Sequence, residues 1–370
     1  MNGLHGIIFS FEKEPGLKEL VQHRMPASVP YGGRYRVVDF MLSNMQNAGI
    51  TDVGIVLHGN YQSLLDHVGN GKTWDMSRKY GGLRMLPPFA DTRRYQSEEF
   101  RGKMEALTGV RSYLEQIRQD YVVLADSDLI INISLNDVFE KHLESGADIT
   151  CVCKVNDEPT EDATFLVLDD TGRVTRTLCD PKKPEGYHCL EIYILSKELL
   201  IKLVDECAAE EKFSFRRDVL NGMGDRYNIR GYVFDGLAAQ IRTLKDYYDK
   251  SMGMLRPEVY RQLSTAARPI RAKEDDEAPT YIAPESQVVN SLIADGCIIE
   301  GTVENSILFS GVRVAKGAQV RNCILFKNTF VGEKATLGYV IADKNVQVRS
   351  GTALMGHESY PLAISKDSVV

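Results

Sequence analysis

The chain has no apolar run long enough to cross a bilayer, and the run that opens it is met by Glu12 and Lys13 too soon for a secretory signal. A cytoplasmic protein with no membrane partner is therefore expected. It has no basic excess: 44 Lys and Arg stand against 51 Asp and Glu, for a formal charge of -7. That balance argues against a general nucleic-acid binder, although one local basic cluster would still hold a small anion. It has no Cys-x-x-Cys pair, and its seven cysteines are an odd number, which speaks against a disulfide framework or a zinc site. Cys151 and Cys153 sit two apart in an apolar stretch and read as small core residues of a strand. What is present is bulk: 370 residues, 43% apolar and 26% charged, a soluble composition with enough chain for two domains.

Strand and helix signals alternate over the first two-thirds of the chain. A short buried strand is predicted over 6–11, a helix over 37–48 stopped by Gly49, and a strand over 53–57. Met104, Leu107, Val110, Leu114 and Ile117 recur at helical spacing and predict one helix feeding a strand over 121–125. Ser134 with Asp137 three residues on resembles a capping box for a helix through Leu143, ended by Gly146, and a strand follows over 149–155. Strands separated by helices predict parallel pairing with right-handed crossovers, and such sheets bind ligands beyond the carboxyl ends of their strands. The 243–263 segment is helix-rich. After it the polar, proline-terminated RAKEDDEAP at 271–279 marks a boundary. The expected division is an α/β domain over 1–265, a linker over 266–280 and a third region over 281–370.

That third region carries the clearest internal repeat. VENSILFSGVRVAKGAQ starts at Val303, VRNCILFKNTFVGEKAT at Val320, LGYVIADKNVQVRSGTA at Leu337 and a related VVNSLIADGCIIEGT at Val288, so the starts are 15, 17 and 17 residues apart. Short apolar pairs recur within each copy, separated by Gly, Asn, Asp or Lys. A coil of this kind cannot bury its own apolar edge, so copies must stack, and coils of three short strands predict a parallel β-helix. A β-sandwich of short strands would not need copies in register.

Two stretches carry a family resemblance: RMPASVPYGGRYRVVDFMLSNMQNAGI from Arg24, and NSLIADGCIIEGTVENSILFSGVRV within the repeats. They resemble the bacterial ADP-glucose pyrophosphorylase (glucose-1-phosphate adenylyltransferase) family, in the right order and over nearly the whole chain, and most of all its divergent, regulatory GlgD-type subunit. The resemblance implies an α/β nucleotidyltransferase domain of GT-A type followed by a C-terminal left-handed parallel β-helix with hexapeptide-type repeats. It implies the reaction of ATP with glucose 1-phosphate to give ADP-glucose and pyrophosphate, in glycogen biosynthesis.

The residues themselves argue that this chemistry is impaired. Phosphoryl transfer is mostly positioning and charge neutralisation, and the catalytic families use a glycine-rich, Arg-bearing loop after the first strand. Here that stretch reads Ser10, Phe11, Glu12, Lys13, Glu14, Pro15 and Gly16. One glycine remains, Pro15 has no N–H to donate, and Phe11 adds bulk. A carboxylate such as Glu12 or Glu14 about 5 Å from a phosphate charge costs roughly 3 kcal/mol at an effective dielectric near 20.

By the resemblance, Pro26 stands at the family's active-site Lys, Cys179-Asp180-Pro181 at its Glu-Lys-Pro, and Cys189-Leu190-Glu191 at its Ser-Met-Gly. Asp128 keeps one metal-binding position, while Gln240 stands at the second and offers only a neutral carbonyl to a Mg²⁺ that prefers charged oxygens. Asp126 and Asp128 also form a D-x-D at a strand end, with both carboxylates on one side. No intact catalytic set is expected and no cofactor, with Mg²⁺ called for only if the pocket is active.

The resemblance also implies an activator site for sugar-phosphate anions, to which His23, Arg36 and Arg313 correspond, with Arg34 adjacent. A further basic stretch, Arg78, Lys79, Arg84, Arg93, Arg94, Arg101 and Lys103, reads as a solvated face or an interface rim. The apolar-proline run 83–88 reads as an interface candidate. The expected role is a modulatory, largely non-catalytic subunit in a hetero-oligomer, a tetramer by expectation, with a catalytic subunit. The alternatives are an active glucose-1-phosphate adenylyltransferase and a β-helix sugar acyltransferase. The latter needs a general base between coils, and the repeats hold no His before His357.

Overall fold

Leu4–Ser10 is buried along its whole length and forms the central strand β1, as an apolar run does when a parallel sheet is covered on both faces. The computed structural model describes residues 3–10, 15–87, 100–155, 163–274 and 276–370. The chain forms two units, one of Met1–Glu12, Met41–Tyr61 and Val68–Ala238, the other of Lys13–Phe40, Gln62–His67 and Ala239–Val370. No helix among the described residues is long and apolar enough to cross a membrane.

The first unit is built on a nine-stranded sheet. Its strands are β1, β2 (Val53–Leu57), β3 (Leu83–Leu86), β4 (Tyr121–Asp126), β5 (Ile149–Val155), β6 (Thr164–Leu168), β7 (Val174–Cys179), β8 (Tyr187–Ser196) and β9 (Ile229–Val233). They run β7–β6–β8–β4–β1–β2–β3, with β5 on β8 and β9 on β5. The stretch β4–β1–β2–β3 is parallel, as the alternation predicts. The other half departs from it: β8 is antiparallel to both β4 and β5, and β6 pairs antiparallel with β7. For β6 and β7 the reason is local, because they are joined by a tight turn in which Asp169 Oδ1 accepts the Thr171 and Arg173 backbone N–H, leaving no room for a crossover helix. The run at 83–88 supplies the edge strand β3; Pro88 lies outside the described residues.

Helix α1 (Val37–Asn47) ends before Gly49, which takes a left-handed φ of 72°. The helix expected through 104–117 is two, α2 (Lys103–Gly109) and α3 (Arg111–Gln116), with Val110 at φ -113° between them. Gly109 lowers helix propensity there, and Thr108 Oγ1 turns back onto the Met104 carbonyl. The apolar stripe survives the break, since all five of its residues are buried. Ser134 caps α4 (Leu135–Ser145) by accepting the Asp137 N–H at 3.3 Å, and Gly146 closes that helix at φ 58°. Helix α5 (Lys197–Ala209) packs its Leu200, Leu203, Val204 and Cys207 into the same core.

In the second unit, α6 (Leu244–Gly253) opens on a full capping box of Thr243 and Asp246, and α7 (Pro257–Leu263) follows. From Tyr281 the chain makes three five-stranded parallel sheets, one strand of each per coil. This is the left-handed parallel β-helix. Val303, Val320 and Leu337 pair in register and stack inside it, as the repeat offsets require. The corners explain the recurrent Asn and Gly. Asn290, Asn305 and Asn322 share one corner with φ of 42° to 54°, and Tyr339 takes the next place in that column at 54°. Another corner stacks Gly311, Asn328, Asn345 and Asp367. Asn residues tolerate the left-handed region because their short polar side chains bond locally, and here they also bond from coil to coil, Asn290 Nδ2 to Asn305 Oδ1 at 2.7 Å and Asn345 Nδ2 to Asp367 Oδ1 at 2.8 Å. At Gly311, φ 72°, a Cβ would come within 2.4 Å of Asn328 Oδ1, so a larger residue there would displace the Asn328 side chain.

The 15–40 segment packs onto α6 and the β-helix within this unit. Tyr31 Oη donates to the Lys250 carbonyl at 2.8 Å, and Tyr247 Oη to the Pro30 carbonyl at 2.7 Å. Arg24 Nη2 meets Asp343 Oδ1 at 2.8 Å with both side chains almost fully buried.

Candidate functional site

Chain order in the parallel half of the sheet reverses between β1 and β4, because β1, β2 and β3 step one way and β4 returns to the other side of β1. The carboxyl ends of β1 and β4 are therefore the place where this architecture opens a crevice. Phe9 lies beside Asp126 in register, and Ser10 is buried at the end of β1. Phe11, Glu12 and Glu14, which carry most of the argument about the phosphate loop, lie outside the described residues. Gly16 belongs to the second unit, where a Cβ would lie 2.7 Å from the Arg242 carbonyl oxygen; that glycine serves close backbone packing.

Lys103 fills the crevice end of β4. It was grouped by sequence with a solvated basic stretch, yet its side chain is only 12% exposed, and its Nζ lies 2.9 Å from Asp126 Oδ2. It also forms an ion pair with Glu191. The rings of Phe9 and Tyr193 complete the enclosure, with Nζ 5.6 and 5.5 Å from their centroids. Of the other residues in that stretch, Arg78 pairs with Asp75 and Arg101 with Glu105, while Arg93 and Arg94 lie outside the described residues.

Glu191 reaches Lys103 because β8 has an irregularity there. Register against β5 shifts between Cys189 and Ile192, and Glu191 takes φ 56° inside the bulge. Burial drives the Lys103 ammonium toward neutrality, but the two carboxylates outweigh it and hold its pKa above the ordinary value. Burial pushes Asp126 up to about 7, with Asp128 and Glu191 adding to the rise and Lys103 opposing it. Glu191 goes the other way: burial would raise it, and Lys103 holds it below the ordinary value. One ammonium thus serves two carboxylates that titrate as a unit.

Asp128 lies half-buried just before the strand Leu129–Ile131. Among the described residues no group of three or more His, Cys, Asp or Glu side chains is arranged to hold a metal ion. Within the first unit Asp126 Oδ2 is already engaged by the Lys103 ammonium, which would repel a second cation beside it, so Mg²⁺ does not fit at Asp126. Gln240 and Pro26 belong to the second unit: both Gln240 carboxamide atoms are buried without a hydrogen-bond partner among the described residues, and buried Pro26 opens a short turn.

Asp180 sits at φ 52° after β7, and its carboxylate takes Arg216 Nη1 at 3.1 Å and Arg217 Nη2 at 2.5 Å. Both arginines come from Phe215–Asn221, a π-helical turn of a type often found at functional sites. The Asp180 charge is therefore met by two guanidiniums, which sequence reasoning missed. The Arg-Arg pair in FSFRRDVLN was the available signal.

Of the proposed effector residues, His23, Arg34 and Arg313 are exposed and Arg36 is half-buried. Arg34 stacks on Tyr35, with its guanidinium carbon 5.7 Å from the ring centroid. Arg36 Nη1 donates to the Ser63 carbonyl at 2.6 Å and its N–H to Asp39 at 2.9 Å. Arg313 lies on the coil strand between Ile298 and Phe330. The structure adds a residue the sequence did not suggest. Burial lowers Lys344 to about 7, helped by Arg36 and Arg24 and opposed by Asp343. The bond from Asn345 holds exposed Asp367 below the ordinary carboxylate range, with smaller help from Lys366 and His23.

Comparison with known proteins finds two family matches along the chain. Residues 16–254 match the nucleotidyl transferase family, and residues 279–359 match the GlmU-like C-terminal hexapeptide family. A glycogen biosynthesis protein GlgD from Bacillus subtilis (strain 168) is 33% identical over 368 residues, covering 100% of this chain and 97% of that one. Glucose-1-phosphate adenylyltransferases from Bacillus thuringiensis (strain Al Hakam) and Bacillus anthracis are each 29% identical over 345 residues, covering 91% of both chains.

Proposed function

The chain belongs to the nucleotidyl transferase family, among the glucose-1-phosphate adenylyltransferases and their GlgD relatives, and from that premise we propose that it is a modulatory, largely non-catalytic subunit. It pairs with a catalytic glucose-1-phosphate adenylyltransferase in a hetero-oligomer that makes ADP-glucose for glycogen. The observation that carries the reading is the Lys103–Asp126–Glu191 cluster. The cation nearest the switch point is saturated by the chain's own carboxylates, so it is not available to neutralise a transferring phosphate. Catalysis of this kind needs charge stabilisation held ready for the transition state. This subunit needs no Mg²⁺ of its own.

The purified chain alone is expected to form no ADP-glucose from ATP, Mg²⁺ and glucose 1-phosphate. Mixed with a catalytic subunit, it should co-elute and shift that subunit's turnover or effector response by about 5- to 150-fold, the range of a typical coupling. Product formation by the chain alone at ordinary enzyme rates, about 1 per second or more, would overturn the assignment in favour of an active adenylyltransferase.

The second unit supports effector binding. Arg36 and Lys344 bring positive charge together, and a guanidinium fork suits phosphate. A doubly phosphorylated sugar should bind the protonated form of Lys344, which gives way to the neutral form as pH rises past about 7. Affinity of the assembled complex for fructose 1,6-bisphosphate is therefore expected to fall by up to about tenfold per pH unit above 7. Calorimetry at pH 6, 7 and 8 measures it. The slope should vanish in Lys344→Met, and a slope unchanged in that variant would count against the site.

A further inference from the structure

We infer that Glu191 is a built-in plug: its carboxylate occupies the place against Lys103 that the phosphate of a sugar phosphate would take, closing the crevice at the carboxyl ends of β1 and β4. The inference rests on the family reading for the ligand class but on the geometry for the contact. Glu191 stands in the left-handed region at φ 56°, where a glutamate is strained and a glycine is not. Strain of this kind persists where the surroundings over-determine it, and here the ion pair to Lys103 does so. The bulge is what re-aims the side chain, since a regular strand would carry position 191 in register with β5.

The cluster is complete without a ligand. Lys103 has Asp126 and Glu191 on its donors and the faces of Phe9 and Tyr193 around it. With Asp128 adding to the local negative potential on Asp126, an entering phosphate dianion meets carboxylates rather than a cation. Asp126 Oδ1, by contrast, is buried and has no hydrogen-bond partner among the described residues. Once the plug is withdrawn, it is an acceptor placed beside Lys103 for a sugar hydroxyl. The two groups would then read phosphate and hydroxyl together, as a sugar monophosphate presents them.

The test is calorimetric titration of the full chain with glucose 1-phosphate, with inorganic phosphate and glucose as separate arms. Glu191→Gly should bind glucose 1-phosphate at least about tenfold more tightly than the unaltered chain, because one opposing charge is removed and the ammonium keeps only one of its two carboxylate partners. Lys103→Met in the Glu191→Gly background should abolish the gain. Glucose alone should show none, and a gain seen equally with inorganic phosphate would mark a bare anion hole and overturn the sugar-phosphate assignment.

Glu191→Gln keeps the side-chain length without the charge and should show a smaller gain in the same direction. It carries the test if the glycine variant does not fold, as judged by its unfolding midpoint. No gain in a folded Glu191 variant, or equal affinity in the unaltered chain, overturns the plug. The outcome is separable from the modulatory role. A chain that leaves the partner's turnover unchanged, yet gains affinity in Glu191→Gly, sinks the role and keeps the plug, and the reverse pairing does the opposite.

Discussion

Replacing Arg24 by methionine is expected to lower the unfolding free energy by about 3–5 kcal/mol, the cost of breaking a buried ion pair on one side only. Arg24 and Asp343 are 2% and 1% exposed and 2.8 Å apart, and they join the 15–40 segment to the fourth coil across 319 residues of sequence. Without the guanidinium, Asp343 keeps the Lys344 N–H at 2.6 Å but loses its charge partner. Asp343→Asn added to Arg24→Met should recover at least half of the loss, because the amide can still accept that N–H and no charge is left buried. Urea unfolding of the two single variants and the double variant measures this as a cycle. A single-variant loss under about 1 kcal/mol, the range of an exposed pair, would show that solvent reaches the pair and that the segment is held by packing alone.

Lys103→Met is expected to be about as costly at alkaline pH and much less so in acid. The variant leaves Asp126 and Glu191 in a largely buried site with no cation, at a price again of about 3–5 kcal/mol when both are ionised. The sign follows from the carboxylates. Asp126 has its folded pKa raised to about 7 from an ordinary value of 3.8. Between those values the native state holds more protons than the unfolded chain, so stability falls as pH rises through the window. Glu191 is held low and contributes the opposite slope, with stability present above its unfolded pKa and lost as pH falls through its lowered one. The two partly cancel in the unaltered chain. Removing the ammonium raises both carboxylates, so the variant's deficit should grow from pH 5 to pH 8. Thermal unfolding at the two pH values decides it. An equal deficit at both would mean that the ammonium's contacts with Phe9 and Tyr193, and not its charge, are what was lost.

How much of this could be read along the chain depends on the range of each interaction. The β-helix was legible because Val303, Val320 and Leu337 repeat at the coil length and the corner Asn and Gly residues repeat with them. The Ser134 and Gly146 helix ends were legible because capping is settled within three or four residues. Val110 was misread as mid-helix because Gly109 and Thr108 tip a local balance that the apolar stripe does not report. Lys103 looked like one more surface cation for a related reason. Its partner on β8 is 88 residues away, and nothing within its own stretch marks it as buried.

The sequence by itself determined four strands and two helices of the first domain, the stacked repeat, the family, and the departure from a glycine-rich phosphate loop, since all of these are written in residue types at short spacing. Only the tertiary structure decided which charges meet. It placed Glu191 on Lys103, two arginines on Asp180, and Lys344 within reach of the fields of Arg24 and Arg36. An ion pair's strength depends on its separation and on the water excluded around it. Both are set by where strands and coils are brought together, which the neighbours of a residue in sequence do not record.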